Sequence, residues 1–366
     1  MTRIADERRP VLVYGEDARG DVREAFPTRT ARRSDFWGPI AAGDMLHVEV
    51  LGGARPPRLA VDRVAHGLPK DGGAALELGC YLDPTCYAFW DEIKSGVAEI
   101  YYESWWGGSS CTGSLLDDLS HTGTPWFLTA NHCMSTQDEA DSVIIYWNFH
   151  TSVCNGAVPP HGSLPTSSGS DVMAENETSD FTLLKLDENP PGGTWFLGWS
   201  TDALAVNDPI TVIHHPDAAW KRISFGHLVG SDANFWEVVY TESSTEGGSS
   251  GSPLFNENRQ VIGQLWGGYA LCTRMNDTDE FGKFGESWNR GISDFLGVTT
   301  TTTTSTTTTT VPDADDDADD DVDDDASDDD SASGDDDTAD ETKAVLTGPS
   351  GENDLDNNDG GGFCGC

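Results

Sequence analysis

A serine set among glycines can be made into a nucleophile, and this chain carries one at Ser250 in Thr245-Glu246-Gly247-Gly248-Ser249-Ser250-Gly251-Ser252-Pro253. Glycines let the backbone turn tightly, so successive amides can aim at one point and stabilise an oxyanion. Alone, such a Gly/Ser segment reads as a flexible loop. Two other segments change that. Residues 127–133 form an apolar run ending in His132 beside Cys133, and residues 178–186 place Asp180 at the head of an alternating strand. A serine hydroxyl attacks a carbonyl once an imidazole takes its proton, and the imidazole needs a partner that holds its tautomer. A single His at a strand end, or a single Asp before an apolar run, is usually structural. His132, Asp180 and Ser250 together predict acyl transfer through a covalent intermediate.

The elements that would carry these residues are strands. From about residue 76 to 298, short apolar runs such as 143–147, 210–213 and 260–266 alternate with Gly, Pro, Asp and Asn clusters. That spacing predicts an all-β barrel or sandwich, with a short helix only near 292–296. Residues 1–70 are Arg-rich, hold brief apolar runs at 11–14 and 45–51, and end at a Gly/Pro linker, 67–73. Residues 71–298 form the main domain. Residues 299–310 are a Thr-rich linker, and 311–366 an acidic tail, expected to be disordered, that closes in Cys364-Gly365-Cys366.

The formal net charge is -42, unevenly spread. Residues 1–70 carry 12 Lys+Arg against 10 Asp+Glu, residues 71–310 carry 8 against 31, and the remainder 1 against 22. Such a surface repels a polyanion, so nucleic acid is excluded as a partner. The acidic middle suits basic substrates or a saline habitat, and solubility alone would also account for it. Six cysteines in the middle region predict three disulfides in an oxidising compartment rather than zinc, because no Cys-x-x-Cys pair is present among them. No hydrophobic run is long enough to span a membrane. Residues 1–10 lack the apolar core of a signal peptide, which conflicts with export; a signal upstream of this start, or one already removed, resolves the conflict.

Several blocks together resemble one family. They are Cys111-Thr112-Gly113-Ser114, Thr129-Ala130 with His132-Cys133, Tyr146-Trp147-Asn148, residues 178–186, Ile213-His214-His215-Pro216, Gly248 to Pro253, Gly263-Gln264-Leu265 and Ser287-Trp288. In this order and spacing the chain from Cys80 to Leu296 resembles the lysyl endopeptidases, a secreted bacterial branch of the trypsin-like serine proteases. The resemblance implies two six-stranded antiparallel β-barrels of the trypsin/chymotrypsin type with a short C-terminal helix. It implies His132 as general base, Asp180 as its orienting carboxylate and Ser250 as nucleophile, with the Gly248 and Ser250 amides as the oxyanion hole. Asp279, three residues before Gly282, matches the family's pocket carboxylate, with Trp266 and Gly267 beside it. Cleavage after Lys, with Arg weaker, follows from that match. Without the resemblance, Asp277, Asp279 and Glu280 would read as a solvated acidic loop.

Six cysteines allow fifteen pairings. The resemblance selects Cys80–Cys272, Cys86–Cys154 and Cys111–Cys133. It implies no cofactor and no metal, protein or peptide substrates, a monomer, and a secreted or cell-surface location. The Thr-rich and Asp-rich tail with its closing Cys364-Gly365-Cys366 resembles spacers of bacterial surface proteins, which suggests cell-surface attachment through the C-terminal tail; a disordered solubility tail is the alternative. Two positions depart from relatives. Trp266 stands where the family has a histidine that stacks on a tryptophan. Ser249 stands where pancreatic proteases have the aspartate that pairs with a new N-terminal ammonium. His214 and His215 read as structural. A glutamyl-type specificity on the same fold, or an inactive protease-like surface binding module, are the rival readings; the intact His132, Asp180 and Ser250 set disfavours the module. Residues 1–70 read as a propeptide that the enzyme removes itself after Lys70, a small permanent N-terminal domain being the alternative.

Overall fold

A computed structural model describes residues 80–297 apart from Trp105 and Trp106, with short segments on either side. Lys70, the linkers at 67–73 and 299–310, the Asp-rich run and the closing cysteines lie outside the described residues. Near the N-terminus, β1 (Thr2–Ala5), β2 (Val11–Glu16), β3 (Val22–Thr28), β4 (Asp35–Trp37), β5 (Met45–Val50) and β6 (Ala60–Val64) form antiparallel ladders. The two apolar runs of this region are β2 and β5, paired with Val13 opposite Val48. Val11, Val13, Val48 and Val50 are buried together there.

The main region has two halves. The first contains β7 (Val97–Ser104), β8 (Gly107–Leu116), β9 (Trp126–Ala130), β10 (Ile144–Tyr146), β11 (Thr166–Ser168), β12 (Ser170–Asn176) and β13 (Phe181–Leu186). They form one sheet in the order β11-β10-β7-β8-β9-β13-β12. Helix α1 (Gln137–Ser142) links β9 to β10 behind a Thr136/Glu139 capping box, which satisfies two backbone donors reciprocally. The second half is a closed barrel of β14 (Pro209–His214), β15 (Arg222–Ser231), β16 (Phe235–Glu242), β17 (Pro253–Phe255), β18 (Val261–Gly268) and β19 (Asp279–Lys283), in the order β14-β15-β16-β19-β18-β17.

The expectation of two six-stranded barrels is therefore corrected for the first half, which is a seven-stranded sheet. Its edge strands β11 and β12 are joined by Gly169 alone, so the two edges lie side by side and the sheet must be rolled. Gly169 breaks the strand because it takes a positive φ of 74°, where a Cβ would meet Asp187 Oδ2 at 2.8 Å. Gly169 itself bridges the two edges: its N–H donates to the Val143 carbonyl beside β10 at 2.9 Å, and its carbonyl accepts the Asp187 N–H beyond β13 at 3.0 Å.

The core explains a second difference. The strand after Asp180 was expected to alternate between buried and exposed, yet all of β13 is buried except Lys185. Phe181 and Leu183 pack between the two halves with Leu128, Ile213, Ile223 and Phe255. Leu184 and Leu186 pack inside the first half with Ile100, Phe127 and Trp147. Period 2 is kept, but both faces meet apolar layers, as in any strand covered on both sides. After β19 the chain turns into α2 (Phe284–Ser287), a π-turn over Trp288–Ile292 and α3 (Ser293–Leu296), so the helical run extends further upstream than the five residues expected. Ile292 and Leu296 close the inter-half core. Disulfides join Cys80 to Cys272, Cys86 to Cys154 and Cys111 to Cys133.

Beyond the Asp-rich run, β20 (Thr342–Thr347) pairs antiparallel with β5. That segment has the consecutive apolar residues Ala344, Val345 and Leu346, a run that the Asp-rich stretch lacks, so part of the tail expected to be disordered forms a strand.

Leu183 is fully buried at the centre of the inter-half core. Leu183→Ala is expected to cost about 2–5 kcal/mol through lost burial and a residual cavity, read as a lower urea midpoint with unchanged m-value.

Candidate active site

Strand pairing brings His132 and Asp180 together. In the antiparallel ladder of β9 and β13, Ala130 lies opposite Phe181. His132 is two residues past one end and Asp180 one residue before the other, so both leave the sheet at the same corner. The Asn131 N–H donates to the Asp180 carbonyl at 3.1 Å, and the His132 N–H to Asp180 Oδ1 at 2.8 Å. Oδ2 lies 2.9 Å from His132 Nδ1. A carboxylate only accepts, so Nδ1 carries the proton and Nε2 is left as the basic nitrogen. Asp180 is buried with a φ of 52°, a conformation that an aspartate tolerates better than most side chains. Gln264 Nε2 holds this turn from the other half, donating to the Ser179 and Asp180 carbonyls at 2.7 and 3.3 Å.

Ser250 sits between β16 and β17 in a turn that requires glycine. Gly248 and Gly251 have φ values of 88° and 80°. A Cβ on Gly251 would lie 2.4 Å from the Thr112 carbonyl and 2.8 Å from the Ala130 nitrogen. The turn is thus pressed against β8 and β9, two residues from His132. Thr112 on β8 ties it down. Its N–H donates to the Ser250 carbonyl at 2.8 Å, its Oγ1–H donates to the Gly248 carbonyl at 3.0 Å, and Oγ1 accepts the His215 N–H at 3.0 Å. Within the turn, Ser249 N–H donates to the Glu246 carbonyl at 3.0 Å and Gly251 N–H to Leu265 at 2.8 Å. The amides of Gly248 and Ser250 donate to no protein acceptor among the described residues. His132 Nε2 meets Cys133 Sγ at 3.8 Å and makes no hydrogen bond to Ser250 Oγ. Bonds of this kind are often open in substrate-free sites and tighten when substrate binds.

Asp279 opens β19, opposite Gly268 on β18 and Val238 on β16. It is 2 % exposed, which separates it from the solvated loop that its acidic neighbours suggested. Ala270 N–H donates to Oδ1 at 3.1 Å, Tyr240 O–H to Oδ2 at 3.0 Å, and Thr245 O–H also donates to Oδ2. Burial still dominates and pushes the carboxyl above the usual aspartate range, with the charge of Glu246 adding to the rise. Gly267 lies opposite Glu280, next to that carboxylate. Trp266 is partly exposed and its ring meets Phe235 at 5.9 Å, tilted by 58°. An aromatic pair therefore occupies the place where the resemblance led us to expect a histidine on a tryptophan.

Sequence reasoning missed two residues. Thr112 and Gln264 hold the Ser250 turn and the Asp180 turn in place, each from the half opposite to its target. Thr112 fell inside a matching block next to Cys111, and nothing in the local sequence marked it. His215 matches its structural reading: it is fully buried, its Nδ1 sits 2.9 Å from the Ala219 carbonyl, and burial, then the Lys221 charge, hold it well below the usual histidine range.

The family model described as "Lysyl endopeptidase, C-terminal domain" matches residues 77–282. A lysyl endopeptidase of Pseudomonas aeruginosa is 28% identical over 317 residues, covering 79% of this chain and 67% of its own. A secreted RxLR effector protein 73 of Plasmopara viticola is 28% identical over 197 residues, 49% of this chain and 47% of its own. Among solved structures, the active form of the Rv3671c protease of M. tuberculosis aligns with a TM-score of 0.41 at 17% identity, over 60% of this chain and 88% of that one.

The protein is a serine endopeptidase, a hydrolase of the trypsin-like class. Within that class, the chain belongs to the lysyl endopeptidase family.

Gly251→Ala would force backbone and not merely a side chain to move, since its contacts are the Thr112 carbonyl and the Ala130 nitrogen. Displacing the turn by a fraction of an ångström is expected to lower kcat by about 100-fold or more, with far-UV circular dichroism unchanged.

Proposed function

We propose that the chain cleaves peptide bonds after lysine, and more weakly after arginine, through an acyl-enzyme on Ser250. The observation that supports this most is the joined His132–Asp180 pair beside a glycine turn whose Gly248 and Ser250 amides have no protein acceptor. His132 Nε2 takes the proton of Ser250 Oγ as Oγ bonds to the scissile carbonyl carbon. The carbonyl oxygen becomes an oxyanion and accepts from the two amides. His132 then gives its proton to the leaving amine, and the C–N bond breaks. Water repeats the sequence to release the acid. Asp180 keeps the proton on Nδ1 throughout and stabilises the imidazolium.

Asp279 is the specificity residue in this reading. A buried carboxylate with hydrogen-bond donors but no cation of its own attracts a substrate ammonium. It repels a glutamate side chain, which disfavours the glutamyl-type alternative. Three disulfides favour an oxidising compartment, which supports export to the medium or the cell surface. Residues 1–70 act as a propeptide removed after Lys70, with their Arg-rich composition complementing the acidic domain.

Ser250→Ala is expected to reduce turnover by several orders of magnitude while folding is retained, and a fluorophosphonate should label Ser250 in the unaltered protein. Comparable activity in that variant sinks the assignment. The same variant should stay uncut, whereas N-terminal sequencing of active enzyme should begin at Asp71.

Asp279 gives a prediction of opposite sign for stability and activity. Its folded pKa lies above the unfolded value, so the stability contributed by its protonated form is fully present below the unfolded pKa and is lost as pH rises through the raised folded pKa. Above that window the buried charge is a cost. Asp279→Asn should therefore hold or raise the urea midpoint at pH 8, with the advantage shrinking on acidification. Its kcat/KM on Lys substrates should fall by about 100-fold or more, while Glu substrates change little.

A further inference from the structure

Ser249, immediately before Ser250, is fully buried, and its side chain faces away from the reaction into a closed relay. Ser249 Oγ accepts the Glu246 N–H at 3.1 Å and lies 2.8 Å from His214 Nδ1. On the far side of the ring, His214 Nε2 lies 3.0 Å from Ser224 Oγ. Ser224 Oγ in turn reaches Ser243 Oγ at 3.1 Å and the Ser244 carbonyl at 3.2 Å. The directions follow from the carbonyl, which only accepts. Ser224 spends its proton on the Ser243–Ser244 side, so it accepts from His214 Nε2–H. Nδ1 is then an acceptor and takes the proton of Ser249 Oγ–H. Both ring nitrogens of His214 are used, and every side chain along the line, Ser249, His214, Ser224 and Ser243, is buried.

The relay has a single consistent protonation state. The charged groups facing the ring are few: Arg222 lies opposite His214 on β15, and His215 follows it on β14. No carboxylate touches the ring. Burial and the Arg222 charge push His214 down to about 3, so the imidazole is neutral throughout the working range. A second proton on Nδ1 would face the Ser249 hydroxyl donor and break the line.

This relay matters because of what Ser249 joins. Gly248 precedes it and Ser250 follows it, and those are the two residues whose amides are unused. The strand that supplies His214 also supplies the His215 N–H to Thr112 Oγ1, which donates to the Gly248 carbonyl. The turn is clamped twice from one strand end, once through a side chain and once through a backbone carbonyl.

We propose that His214 is a positioning residue for the oxyanion turn: its neutral ring, bridging Ser249 and Ser224, holds the Gly248 and Ser250 amides in the orientation that receives the oxyanion. The turn is then fixed by contacts between β14, β15 and residues 243–250, and needs no charged group delivered from a chain terminus. The proposal rests on the reading of Ser250 as the nucleophile.

The test compares Ser249→Ala and His214→Gln with the unaltered protein, counting active sites by fluorophosphonate labelling of Ser250. A misaimed oxyanion hole weakens the transition state and not the bound substrate. We expect kcat per labelled site to fall by about 10- to 100-fold with KM for a Lys amide changed less than about 2-fold. Affinity for a lysine boronic acid should fall in parallel. A purely structural His214 would lower thermal stability and leave kcat per labelled site within about 2-fold of the parent, and that result overturns the proposal. If neither variant folds, imidazole 15N shifts of the unaltered protein decide: a persistent Nε2–H tautomer of His214 from pH 5 to 8 supports it, and a titrating ring overturns it. Failure to label Ser250 in the unaltered protein would instead remove the nucleophile assignment itself.

Discussion

The contact between Thr112 and the Ser250 turn joins chemistry that the fold has divided between two bodies. His132 and Asp180 stand at a corner of the rolled sheet, and Ser250 stands in a turn of the closed barrel. Thr112 donates its N–H to the Ser250 carbonyl and its hydroxyl to the Gly248 carbonyl, across a sequence separation of 136 for the latter. Gly251 permits this because anything larger would strike the β8 and β9 backbones. Gln264 answers in the other direction, from β18 to the carbonyls of the Asp180 turn. Each half therefore holds the functional turn of the other. The apolar layer between them, with Leu183, Ile213 and Phe255, supplies the area that keeps these polar contacts dry and short.

Electrostatics divides the buried ionisable groups by task. Asp180 spends its oxygens on the His132 backbone and ring, so its negative charge is committed to one partner. Asp279 has donors but no cation, and burial raises its pKa. It costs the folded state something that a cationic side chain can return on binding. His214 takes a third course and works by remaining uncharged. Asp180 thus faces an imidazole and a backbone amide, Asp279 three neutral donors, and His214 two hydroxyls.

Ser249 connects this division to the architecture. A carboxylate at this position would need a buried cation as partner. A hydroxyl needs only a neutral acceptor and a backbone donor, and His214 and the Glu246 N–H provide both. The same two-residue step, His214 to His215, reaches both sides of the turn. A β-strand allows this because consecutive residues point in opposite directions.

The sequence by itself determined the order and type of the candidate groups. His132 after an apolar run, Asp180 before one and Ser250 among glycines were legible because each is tied to a local backbone need: a strand end, a left-handed turn, a tight loop. The strand pattern was legible for the same reason, since period 2 is a local property. What only the tertiary structure decided depends on partners far away in sequence. Buried and exposed faces could not be told apart on β13, because both sides meet apolar layers contributed by distant strands. The rolled sheet was hidden because Gly169 reads as one more loop glycine until both edges are seen to meet at it. Asp279 and its acidic neighbours look alike along the chain, and burial beneath β16 and β18 alone separates them. Thr112, Gln264 and His214 carry no local mark at all, because the bonds by which they hold the two turns reach residues 35 to 136 positions away. Local periodicity encodes which element forms; which polar atoms those elements bring within hydrogen-bonding distance is set only when the two halves pack.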